Sequence, residues 1–486
     1  MGTNLAIIDE PNGSIAVDMR KDAEKRLSNL LPLAEKGDPD AQNALGDLYS
    51  DSGPSTFPDD LLAWDWYYKA AEQGHLLATA ALILMWRVSP HKHPQGLPWE
   101  SVEDVIQTSI AMLTSHAKEK DDLAAIRYLG WFNTLGIGCD VDFKVATQYL
   151  HRGAYLGCPE CMAGLGVISL TYDYPLNESL FSPVEWLEQS WDQYCFMAGV
   201  WLGRRYLNSG RGDKRKENNR KAIGYFQAGA DLGCGDAAKE LAECYALGVG
   251  VSRSEQAAYH WYKVAADRNN DDALYILARS DYYLPSIDVP DQQGTEWLEQ
   301  AAKLGNLSAM GEFGYQLIHA NGVARDVERG LELVRRSARS GDATSLHILG
   351  NLYYDGEHLP KSYEGSTDYY RRSAEQGSAR GNLSYGYALL WGEGTEKDPQ
   401  LASQHLSRAF DAGMFDAAIG FGIASYQLSR DPVRALGFVL CGVREISGTP
   451  PAWISEFTER LTEQLDEEGL ALAEEFSAHL RCRFNN

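Results

Sequence analysis

Three groups of residues have types and spacings that chemistry uses. Cys158 and Cys161 form a C-x-x-C pair, half of a zinc site, but no second cysteine pair or histidine pair completes one. His91 and His93 lie two residues apart in SPHKHPQGLPWE (89–100), without acidic or thiol companions, and are a weak metal candidate. The paired glycines Gly136/Gly138 and Gly248/Gly250 look like phosphate loops. The patterns G-x-S-x-G, H-E-x-x-H and G-x-x-x-x-G-K-[ST] are absent, and the eleven histidines share no common phase. The expectation is a protein that is not an enzyme, with no catalytic residues, no cofactor and no metal.

What remains is charge and apolar content. Forty-four Lys+Arg against 68 Asp+Glu leave a net charge of −24. Phosphate binding needs clustered cations, so this balance argues against a nucleic-acid partner. It suits a basic protein partner, whose encounter the field accelerates, or it serves only to keep a long chain soluble. The 44% hydrophobic and 11% aromatic content belongs to a packed chain, not a disordered acidic one. No run of eighteen apolar residues occurs, and MGTNLAIIDEPNG carries no signal-peptide pattern. A cytoplasmic protein with reduced thiols and no membrane insertion is expected.

The elements that position these residues repeat. An Ala-rich stretch closing on Gly recurs as AAEQG to Gly74, AAKLG to Gly305 and SAEQG to Gly377. Alignment on it yields eleven anchors: Gly37, Gly74, Asp121, Gly157, Tyr194, Gly233, Asn269, Gly305, Gly341, Gly377 and Gly413. The last five intervals are each 36 residues. Four residues after each anchor the side chain is small (Ala41, Ala78, Ala125, Cys161 and onward). Eight after it stands a large apolar one, Leu45 through Phe421. These share one helical face, where the small residue admits a neighbouring helix and the large one fills the groove beside it. The stretch before each anchor reads as a second helix. The anchor suits the left-handed residue that ends it, with Asp121 and Tyr194 fitting poorly. The paired glycines recur in register with the repeat and so read as turns, and Cys161 as a buried structural thiol.

Such a hairpin cannot bury its apolar face alone, so units must stack. The predicted fold is an all-α, right-handed α-solenoid of about eleven 36-residue helix–turn–helix repeats, with a C-terminal helical cap. The boundaries are a tail or partial cap over 1–21, repeats over 22–445 and an acidic cap over 446–486.

The motif A-x-x-x-L-G-x-x-Y at Ala41, Leu45, Gly46 and Tyr49, with the W-Y-x-x-A-A-x-x-G-type close from Trp66 to Gly74, resembles the Sel-one-like repeat, a relative of the tetratricopeptide repeat. That resemblance implies a protein-binding adaptor. It also implies that the first helix of each unit lines the concave side. Positions six, seven, ten, eleven and fourteen after the anchor are then expected to face the groove. They hold Trp131, Phe132, Trp201, Arg204, Arg205, Glu240, Glu243, Arg279, Asn351 and Asp355. Exposed aromatic and Arg side chains are the usual anchors of an interface. The function expected is an intracellular, bacterial inhibitor or immunity protein clasping a basic toxin or effector. The alternative is a regulatory scaffold joining several partners in signalling or envelope assembly.

Three segments depart from the period. Residues 89–100, with Pro90, Pro94 and Pro98, predict a projecting loop with Trp99 packed at its base. RGDKRKENNRK (211–221), with six basic and two acidic residues, predicts a lengthened inter-helix loop. Residues 452–484 predict two helices with Trp453, Phe457, Leu461 and Leu465 on one buried stripe, serving as a solubilising cap or an acidic docking site.

Overall fold

The computed structural model describes residues 11–50, 59–92, 96–176, 181–207, 209–444, 446 and 449–482. The first ten residues, His93 and Gly448 lie outside them. Among the described residues every regular element is helical. All eleven anchors, Asp121 and Tyr194 included, take the left-handed conformation, with φ between +51° and +96°.

The hydrogen bonding of the turn explains why the anchors agree. The N–H after the anchor donates to the carbonyl five residues back, as in Asp38 to Leu33 (3.2 Å), Cys195 to Ser190 (3.3 Å) and Ser378 to Ser373 (3.1 Å). The same residue then opens the next helix. The side chains of Asp38, Asp122, Asn270, Asp342 and Ser378 accept from backbone N–H groups two or three positions on. One short segment thus closes one helix and starts another, which holds the period constant. For Tyr194 the conformation costs roughly 1–2 kcal/mol that glycine would not incur. We expect Tyr194→Gly to stabilise the chain by less than about 1 kcal/mol in urea denaturation, the relieved strain being offset in part by lost ring contacts, since Tyr194 is 38% exposed, and by glycine's greater unfolded-state freedom. An unchanged or lower stability would show that ring contacts outweigh the strain.

The chain forms two compact units, Met1–Asn306 and Leu307–Asn486. In the first, the helix Pro11–Ala34 precedes seven hairpins, from Pro39–Tyr49 with Asp60–Glu72 to Asp271–Ala278 with Asp291–Lys303. The second holds four hairpins, from Leu307–His319 with Val327–Arg339 to Ala417–Ser429 with Pro432–Val443, and then the helices Ala452–Thr462 and Glu467–Cys482. Every residue four after an anchor is buried, and so is every residue eight after one except Phe421, which is half-buried. Gly136, Gly138, Gly248 and Gly250 all have positive φ and lie at or just after a first helix's end, so they are turns.

Three expectations are corrected. The described start of the Pro-rich segment is not a projecting loop, and His93, Pro94 and Gln95 lie outside the described residues. That start makes a single helical turn, Pro90–Lys92, and Lys92 Nζ lies 3.1 Å from Asp271 Oδ1. Asn269 Nδ2 likewise donates to Asp59 (3.3 Å), and the helix Pro11–Ala34 touches Gly212–Asp231. Each of these contacts joins elements about five units apart, so the stack in the first unit coils back on itself. Part of the extra length also sits in the helix Val102–Lys120, 19 residues against 13 in most regular ones. Trp99 does pack against the core, as expected.

The basic segment is not a loop: it is helical, opening the 20-residue helix Gly212–Asp231. Lys, Arg and Glu are good helix formers, no proline intervenes, and Lys221–Glu217 (3.1 Å) pairs one turn apart. In the C-terminal cap the buried stripe is Ile454, Phe457 and Leu461. Trp453 stays exposed and meets Trp391 edge to face, with 5.8 Å between ring centroids. Residue 453 is one position off the i, i+3, i+7 row that faces the core.

Candidate functional site

The inner side of each unit follows from which helices touch. Consecutive first helices contact one another, such as Leu123–Leu135 with Pro159–Tyr172 and Leu307–His319 with Ala343–Asp355. No consecutive pair of second helices does so to the same degree among the described residues. A stack whose first helices are the closer set curves towards them. They therefore line the concave side.

On that side the expected residues divide. Trp131 and Trp201 are half-buried against the cluster of Leu187, Cys195 and Leu202, and each leaves an edge in solvent. Arg204, Arg205 and Asp355 are exposed, while Glu243, Arg279 and Asn351 are half-buried. Asn351 accepts a hydrogen bond from Tyr370 Oη at 2.8 Å, and Arg279 lies 3.5 Å from Asp281. Phe132 is wrongly assigned to the groove: it is 0% exposed and sits in the core. Position eleven follows positions four and eight in the i, i+4, i+7 row, which is the buried one. Leu48, Ile168, Cys244 and Leu352 are buried there too, and Arg205 is the exposed exception. Glu240 is also buried, at 8% exposure, beneath the guanidinium of Arg204.

Three cations of the inner side, Arg127, Arg204 and Lys239, are tied to carboxylates of the following unit. Arg204 Nε donates to Glu240 Oε1 at 2.8 Å, 36 residues on. Lys239 lies 3.3 Å from Asp272 and 3.4 Å from Glu243, and Arg127 lies 3.6 Å from Glu160. Burial pulls on the Lys239 ammonium, but Glu243, Asp272 and Glu240 outweigh it and hold its pKa above the ordinary lysine value. Burial raises the carboxyl of Glu243, with Lys239 opposing. The pairs Arg204–Glu240, Lys239–Asp272 and Arg127–Glu160 each join two stacked units and cancel a cation that would otherwise face a partner.

The sequence reading passed over several exposed aromatics. Tyr315 and Trp391 stand at positions ten and fourteen, which that reading had named as outward, so the repeat phase could have found them. Tyr282, 72% exposed, and Tyr283 follow the shortened helix Asp271–Ala278, outside the repeat phase. The histidines are not all scattered either. His319, Glu357 and His358 gather with their donor atoms within 4.8 Å of one another. Cys158 Sγ donates to Glu160 at 3.2 Å, and a hydrogen bond between the thiols lowers the pKa of Cys158 and raises that of Cys161, which is fully buried.

The Sel1 repeat model matches residues 39–75, 123–158, 197–234, 235–270, 271–306, 308–342, 343–378 and 379–414, more than half of the chain. The chain belongs to the Sel1 repeat family. The segments its Sel1 matches omit between 75 and 197 include the 47-residue interval and the unit around Tyr194, where the period is broken. A protective antigen of uropathogenic Escherichia coli with this fold is 23% identical, covering 93% of this chain and 94% of its own, with a TM-score of 0.52. That likeness shows the fold. A Sel1 repeat protein of Oxalobacter formigenes is 18% identical over 55% of this chain and 98% of its own, with a TM-score of 0.39. An immunity protein of Pseudomonas aeruginosa is 21% identical over 44% and 81%, with a TM-score of 0.32. No curated protein matches in sequence. Sel1 repeats mediate protein–protein interaction, and proteins built of them are in general non-enzymatic scaffolds. No helix among the described residues is long and apolar enough to cross a membrane.

Proposed function

We propose that this Sel1 repeat chain is a non-enzymatic, cytoplasmic bacterial protein that clasps one basic protein, a toxin or effector, against its inner side and so inhibits it. The observation that carries the reading is the charge arrangement. The chain has a surplus of 24 acidic groups, while Arg127, Arg204 and Lys239 on the inner side are already paired with carboxylates of the next unit. The field left for a partner is negative, and Trp131 and Trp201 offer flat apolar area beside it. Glu243 and Arg279 belong to the same proposed surface of the Met1–Asn306 unit, Asn351 and Asp355 to the inner side of the Leu307–Asn486 unit, and Phe132 to neither.

Affinity capture from the native host, followed by mass spectrometry, tests this. One tight basic partner whose affinity falls as salt rises supports the reading, and a partner indifferent to salt overturns the charge argument. Replacing Trp201 and Arg205 together by Ala is expected to weaken that complex at least about tenfold, with helical circular dichroism preserved. Lost helicity would mark them as core residues. A scaffold joining several proteins is the second reading. It is favoured by the separate aromatic patches of the two units, Trp131 and Trp201 in one and Tyr315 and Trp391 in the other. Several weak partners, each retained by one unit alone, would select it.

A further inference from the structure

The three donors gathered in the Leu307–Asn486 unit come from the same place in two consecutive repeats. His319 is the last residue of the helix Leu307–His319. Glu357 and His358 follow Gly356, the left-handed residue that ends the next first helix, Ala343–Asp355. His319 and His358 are 39 residues apart in sequence, one period of 36 and three more, so stacking brings them side by side. Their ring centroids are 5.6 Å apart, and Tyr315, one turn earlier, lies against the His319 ring at 4.3 Å. One donor atom from each of the three residues lies within 4.8 Å of the other two. Both imidazoles and the carboxylate therefore converge on one point, with one ring held by an aromatic neighbour. The carboxyl ends of two helices also point there, and their dipoles favour a cation.

We propose that His319, Glu357 and His358 bind one divalent zinc ion that staples the two repeats. Two neutral imidazoles and one carboxylate suit a borderline ion with tetrahedral preference, while magnesium and calcium want oxygen donors throughout. Zinc with bonds of about 2.0–2.1 Å spaces its donors by roughly 3.3 Å. The contraction from 4.8 Å is met by side-chain rotation, because His319 and Glu357 are exposed and His358 is half-buried. Three protein ligands leave the fourth position to water or to a group supplied by a partner. The inference is independent of the partner reading above, since it concerns the chain alone.

The test is calorimetric titration of zinc into the full chain, reduced and freed of metal by a chelator. One zinc per chain is expected, and magnesium at the same concentrations should give no heat. His319→Ala and His358→Ala are each expected to weaken zinc at least about tenfold. Both are surface changes that leave the helical circular dichroism as it was. Glu357→Gln keeps the shape and removes the charge, and should weaken zinc as well. Zinc should raise the melting midpoint of the parent chain and not that of the double histidine variant, because the ion joins two units only when both are folded. Zinc absorption fine structure should show nitrogen and oxygen neighbours. Equal zinc binding by the parent and the double histidine variant, or a shell dominated by sulfur, would overturn the assignment, as would equally tight magnesium binding.

Discussion

Replacing Gly314 by Ala is expected to destabilise the Leu307–Asn486 unit by about 2 kcal/mol, although alanine is the better helix former. Gly314 lies in the first helix of a hairpin and Gly330 in the second, and the two backbones touch. A Cβ on Gly314 would stand 2.7 Å from the Gly330 carbonyl oxygen, and one on Gly330 would stand 2.6 Å from that of Gly314. Neither oxygen can turn aside, because each belongs to a helix backbone, so the two helices must separate. Separation loosens Val334 and Ile318, both fully buried at the contact. The propensity gain of alanine, about 1 kcal/mol, offsets only part of this. Gly224 supplies the control. It too is inside a helix, Gly212–Asp231, but a Cβ there would meet nothing within 4 Å. Gly224→Ala should therefore stabilise by about 0.8 kcal/mol. Urea denaturation of both variants reads the contrast, and a shared sign would show that propensity, not close approach, sets the outcome.

Lys92→Met should cost the Met1–Asn306 unit about 2 kcal/mol at neutral pH. A fully buried charge left without its partner costs about 3–5 kcal/mol, and this lysine keeps some contact with solvent. Its ammonium sits 3.1 Å from Asp271 and close to Asp60. Burial raises the Asp60 carboxyl above its ordinary 3.8, with Lys92 pulling the other way. Removing Lys92 lets it rise further. A carboxyl raised in the folded state contributes stability that is complete below the unfolded value and is lost as pH rises through the folded one. The deficit of the variant should accordingly shrink as pH falls towards 4. Lys92 itself is raised above 10.5: burial lowers it, but Asp271 and Asp60 prevail. Its own contribution is thus present below that value and is lost at higher alkalinity. Denaturation curves of parent and variant between pH 4 and 9 check the acid limb, and a deficit that does not diminish in acid would show that Asp60 is not the group left uncompensated. Amide exchange should meanwhile quicken in Asp60–Glu72 and in the turn at Pro90–Lys92, where the coil closes on itself.

Much of this molecule is local. The anchor, the small residue four on and the large one eight on are enough to specify a hairpin and its stacking face, because most of each unit's burial comes from its immediate neighbours. That is why Tyr194, a poor residue for the conformation, still adopts it, as Asp121 does: around Tyr194 the turn's hydrogen bonds and the flanking helices outweigh one residue's preference. Where the same local logic was stopped one position short, it misled. Phe132 lies on the buried row, and Trp453 lies just off it. The basic run at 211–221 reads as a loop because it falls in a lengthened interval of the repeat, yet its residues favour a helix and nothing in them breaks one.

The repeat, its phase, the helical hairpin and the acid surplus are legible in the residues, since all of these are written within 36 residues or summed over the chain. That Lys92 meets Asp271 and that His319 meets His358 emerges only once the units are stacked. The first contact depends on how far the stack rotates over about five units, a sum of small angles that no single repeat encodes. The second depends on side-chain direction at a helix end, where one residue more or less turns a ring away from its neighbour.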